Sequence, residues 1–63
     1  MEGQFSQTIG DRNADHSYSM EVRSKANGKW TTILVHADSR LKAAKLADEA
    51  GYNMGGGDVQ QVR

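Results

Sequence analysis

The side chains best suited to moving protons or holding a metal near neutral pH are His16 and His36, and the chain contains no cysteine. Asp38 follows closely after His36, so a carboxylate–imidazole pair for proton transfer can be drawn. Such a pair also requires a nucleophile or a second acid in a cleft, and no other residue supplies one at a fitting spacing. A mononuclear metal site built from His16, His36 and Asp15 or Asp38 would need the N-terminal arm to fold back, and it matches no compact ligand motif. These residues therefore predict no catalytic site, no metal and no cofactor, and the chain is read as not an enzyme.

Gly55, Gly56 and Gly57 raise a second possibility, a loop that cradles phosphate. A P-loop continues into Gly-Lys-Ser/Thr and a helix, and a dinucleotide fingerprint spaces its glycines between a strand and a helix. Here the glycines follow the helical pattern and precede a strand-like one. They are read as a flexible connection.

The remaining chemistry is recognition. Trp30 and Leu34 are large apolar groups in a polar neighbourhood, and Arg23, Lys25 and Lys29 are close to them in sequence. Aromatic and basic groups on one surface can stack bases and pair with phosphates, or can anchor a protein partner. The formal net charge is zero, which disfavours a polyanion as the main ligand. The expectation is a small noncatalytic protein–protein interaction module, an adaptor or an inhibitor of a larger protein. Its candidate partner-binding residues are Trp30, Leu34, Arg23, Lys25, Lys29, Glu21 and His36. Weak, salt-dependent binding of single-stranded nucleic acid is one alternative, and a homodimeric structural protein is another.

The elements that would position these residues follow from the hydrophobic period. In YSMEVRSK, Tyr18, Met20 and Val22 alternate with Ser19, Glu21 and Arg23, the pattern of a strand with one buried face. Asn27-Gly28 is a strong two-residue hairpin signal, because both residues tolerate the positive φ of a type I′ turn. That turn would pair Ala26 with Lys29, and hence Val22 with Ile33, Met20 with Val35 and Tyr18 with Ala37. On the opposite face it would pair Lys25 with Trp30, Arg23 with Thr32, Glu21 with Leu34 and Ser19 with His36.

Beyond Ala37 the period changes. Asp38 or Ser39 can cap a helix and Gly51 can end it, with Leu41, Ala43, Ala44, Leu46, Ala47 and Ala50 expected on one broad stripe. DVQQVR reads as a short last strand. The predicted elements are strands over 18–26, 29–37 and 58–62 and a helix over 39–50. They make a small α+β domain of β-β-α-β type, residues 18–63, with a three-stranded mainly antiparallel sheet of order 2-1-3 and the helix on one face. VHADSRLKAAKLADEAGY resembles a pattern shared by many short bacterial and phage β-β-α-β proteins, and it points to no named family.

After Met1, residues 1–17 contain only Phe5 and Ile9 as sizeable apolar groups, and are read as a flexible polar arm. That leaves about 45 residues for the fold, in a size range where a domain buries only about 60% of its unfolded surface. The core must be small, and no disulfide can staple it. No stretch is apolar and long enough for a membrane span, nor does the start resemble a signal peptide, so no membrane partner is expected and a cytoplasmic location is the default.

Overall fold

The computed structural model of the protein describes residues 5–63. Its centre is a hairpin of β2 (His16–Ser24) and β3 (Trp30–Ala37). Period-2 alternation sends Tyr18, Met20 and Val22 to the same side as Ile33, Val35 and Ala37, and all six are buried. They are roofed by α1 (Arg40–Glu49), whose buried residues are Ala43 and Ala47. Methyl side chains on the helix let it lie close to the larger groups of the sheet, so the volume of the core comes from the strands.

The helix begins and ends for local reasons. Ser39 is the N-cap, its side chain accepting from the Lys42 amide at 3.2 Å. Ala50 closes the last turn, and Gly51 leaves it at φ +97°, a conformation that favours glycine. The broad apolar stripe needs two corrections, because Ala50 is an exposed C-cap and Leu41 is 83% exposed. At 100° per residue Leu41 lies about 160° around the axis from Ala43, so it faces away from the sheet.

The hairpin register also differs from the expected one. Met20 pairs with Ile33, Tyr18 with Val35 and Arg23 with Trp30. Only Gly28 has positive φ, at +72°, while Asn27 stays at negative φ and its side-chain oxygen accepts from the Lys29 amide at 2.9 Å. Ser24, not Ala26, closes against Lys29, through Ser24 N–H to the Lys29 carbonyl at 2.9 Å. The result is a longer loop over Lys25 to Gly28 in place of a type I′ turn. Moving the register by an even number of residues leaves every side chain on its original face, so the core is the expected one although its cross-strand partners are not.

The three-stranded antiparallel sheet of order 2-1-3 is corrected to a mixed, five-stranded one. β5 (Val59–Gln61) does lie antiparallel beside β2, and β4 (Tyr52–Asn53) pairs with the far end of β2 at Arg23 and Ser24. On the other side, β1 (Gln7–Gly10) runs parallel to β3. The segment 1–17, expected to be a flexible arm, thus contains an edge strand and the first two residues of β2, His16 and Ser17; residues 1–4 lie outside the described ones. What orders β1 is its backbone ladder with β3 together with Ile9, which sits beside Val35 and packs on the core. Gly10, at φ +96°, comes so close to the His36 backbone that any Cβ there would overlap the His36 carbonyl. No helix among the described residues is long and apolar enough to cross a membrane.

Candidate interaction face on the open side of the sheet

Because α1 covers one face of the sheet, the side chains of alternate parity are left on the other. β3 places Trp30, Thr32, Leu34 and His36 there, and β2 places Ser17, Ser19, Glu21 and Arg23. Trp30 is 45% exposed. Its cross-strand partner is Arg23, whose guanidinium carbon stands 5.0 Å from the ring centroid in a cation–π stack. Leu34 is half-buried between Thr8 of β1 and Ser19 of β2, and Glu21 is exposed opposite Thr32. Lys29 stands exposed where the hairpin loop enters β3.

Lys25 leaves this group. Expected beside Trp30, it instead reaches α1, with Nζ 2.6 Å from Asp48 Oδ1 and 3.2 Å from the Asp48 carbonyl. Its amide donates to the Gly51 carbonyl at 2.9 Å, so the hairpin loop is tied to the end of the helix. The longer loop is the cause: Lys25 sits in the loop and not in the ladder, free of strand alternation.

His36 also has a different neighbour from the expected Ser19. It faces Ser17, whose Oγ lies 2.6 Å from His36 Nδ1. Ser17 is only 3% exposed, and its hydroxyl is a buried group satisfied by the imidazole. His16 pairs with Ala37 and therefore points to the helix side of the sheet, its Nδ1 3.1 Å from the Arg63 carbonyl. The sheet itself keeps the two histidines apart, and no cluster of three or more metal-ligating side chains occurs among the described residues. Asp38 is turned to the Asp15 amide at 3.3 Å. It lines an open cleft of about 310 Å³ at the carboxyl ends of β1 and β3, with Asp11, His36, Lys42 and Leu46.

Gly57 is the residue of this region that sequence reasoning missed. A Cβ on it would overlap the Glu21 carbonyl and stand 3.2 Å from Trp30 Cζ3. Gly57 N–H donates to the Met54 carbonyl at 2.7 Å, and Gly56 has φ +81°. This is a tight turn with glycine at its third position, as a type II turn requires. The next residue anchors it, since Glu21 N–H donates to the Asp58 carbonyl at 2.8 Å. The glycine run, expected as a flexible connection, is a turn pressed against β2 at the edge of the indole. The signal for it was Met54-Gly55-Gly56-Gly57 itself, in which glycine occupies the position demanding positive φ.

The arrangement offers a broad sheet surface with one aromatic anchor, an adjacent guanidinium, a half-buried leucine and a polar surround. Among the described residues the one ion pair is Lys25–Asp48, which leaves the charges of Arg23, Glu21 and Lys29 without an ion-pair partner. In comparisons with protein families, with curated proteins and with solved structures, nothing matches the chain.

Proposed function

We propose that the protein is a small noncatalytic interaction module, an adaptor or an inhibitor of a larger protein, that binds another protein through the open face of its sheet. The observation that carries this reading is Trp30: a tryptophan 45% exposed, stacked on Arg23, on a sheet face that α1 does not cover. Tryptophan and arginine are the residues in which interface energy concentrates, and a polar rim around them excludes water. The contact set is Trp30, Arg23, Leu34, Glu21 and Lys29, with His36 at its far end. The reading takes the protein as cytoplasmic.

Capture of partners from source-cell lysate tests it. Trp30→Ala and Leu34→Ser, each first checked for folding, are expected to lose the partner that the unaltered chain retains. Retention by both folded variants would overturn the proposal.

The Arg23–Trp30 stack also supports a second reading, single-stranded nucleic acid, since a base can stack on an indole flanked by cations. Among the described residues Arg23 and Lys29 are the cations of this face without an ion pair, so it can meet few phosphates, and such binding would be weak and lost as salt rises. Oligonucleotides that leave Trp30 fluorescence unchanged at about 50 mM salt would dismiss this reading.

A further inference from the structure

β1 is an edge without the usual guards. Among the described residues no strand lies on its outer side, and FSQTIG, residues 5–10, contains neither a charged residue nor proline. The other edge is different. There the outer side of β2 is occupied by β4 and β5, and β5 is short and followed closely by Arg63. We propose that β1 pairs antiparallel with β1 of a second copy of this chain, about a two-fold axis at Thr8.

The backbone fixes the position of the axis. Asp11 N–H donates to the His36 carbonyl at 3.2 Å, while Gly10 is aligned with His36 and Thr8 with Leu34. Within β1 the bonding of a parallel ladder alternates, so the Ile9 amide also points to β3 and both backbone groups of Thr8 point outward; Ser6, whose amide turns to the Thr32 carbonyl, lies in the bend before the strand. A two-fold axis there makes Thr8 of each copy donate to and accept from Thr8 of the other. It sets Gln7 against Ile9 of the second copy, and no like charges meet.

A second copy suits this edge better than an unrelated strand. The pairing is self-complementary, as an isologous contact demands. The chain has no disulfide, and Met20, Ile33, Val22 and Val35 are its largest fully buried side chains, a small core of the kind that oligomerisation commonly supplements. Thr8 lies beside Leu34, so the pairing also joins the open faces of the two copies into one surface. The inference does not rest on the proposed function of that face.

Sedimentation velocity on the full chain is the test. The mass is expected to rise reversibly from 6.9 kDa towards twice that value, with a dissociation constant of about 0.1–1 mM for so short a contact. Thr8→Lys and Thr8→Glu each place like charges on the axis and are expected to weaken the dimer about tenfold. An equimolar mixture of the two variants sets Lys against Glu and is expected to restore it. Three results would each overturn the proposal: a monomer throughout that range, single variants that associate like the unaltered chain, or a mixture no more associated than its components. Amide exchange on the unaltered chain gives an independent readout. Exchange of the Thr8 amide is expected to slow as concentration rises, and concentration-independent exchange would also overturn the pairing.

Discussion

The two faces of the sheet are built from the same two strands and do opposite work. On the helix side Met20, Val22, Ile33 and Val35 are wholly buried against small alanines. On the open side Trp30 keeps 45% of its surface exposed, Arg23 stacks on it, and Leu34 is only half-buried. Alternation decides which residues go to which face, and what is stacked on each face decides what they contribute. Buried apolar packing is concentrated on the helix side, and the open side keeps its large groups exposed or half-buried.

Truncating neighbouring residues of β3 tests the division between the faces most strongly. Ile33→Ala removes a fully buried side chain from the middle of the core and is expected to cost about 2–5 kcal/mol. At roughly 0.05–0.15 kcal/mol per residue a chain of this length has about 3–9 kcal/mol in total, so the variant should lose a large share of its stability. Thr32→Ala, one residue away on the open face, should stay within about 0.5 kcal/mol. Urea denaturation measures both, and losses of equal size would mean that the two faces share the load.

A smaller effect is expected from the turn beside the indole. Gly57→Ala forces a methyl group into the Glu21 carbonyl, so the turn must lift from β2, at a cost of about 1–3 kcal/mol. Trp30 emission should change in the same variant, because Gly57 lies against the edge of its ring. Gly55→Ala is the control: its Cβ would meet only Asn53 Oδ1, at an ordinary 3.4 Å, and both readouts should be nearly unchanged. Equal behaviour of the two variants would separate the turn from the open face.

What could be read from the sequence was whatever depends on parity and local chemistry. The hairpin strands, a cap at Asp38 or Ser39, the Gly51 stop and the division of residues between faces all follow from spacing and from single-residue preferences. What could not be read depends on contacts distant in the chain. β1 has weak strand character of its own and is held by β3, more than twenty residues away, as Ser6 N–H to the Thr32 carbonyl illustrates with its separation of 2.9 Å. The register failed for a subtler reason: Asn27 could take positive φ but instead gave its side chain to the Lys29 amide, and that choice moved Lys25 out of the ladder. Within the candidate site, Trp30 and Leu34 were legible from alternation, whereas Gly57 acquires its role only when the last strand returns to β2.

Lys25 gives the smallest and most discriminating test of the comparison. Its ion pair with Asp48 is short, at 2.6 Å, yet the two side chains are 49% and 69% exposed. Water and salt screen such a pair, and holding two long side chains in place offsets part of the attraction, so Lys25→Ala is expected to cost only about 0.2–0.5 kcal/mol. The Lys25 amide keeps its bond to the Gly51 carbonyl in that variant, which limits the loss further. A double-mutant cycle with Asp48→Ala, run at low and high salt, isolates the pair, and its coupling should shrink as salt rises. Trp30 emission should not respond to Lys25→Ala but should respond to Arg23→Ala, because Arg23 is the residue over the indole. The reverse outcome would put Lys25 on the open face beside Trp30, as an Asn27-Gly28 type I′ turn would have placed it.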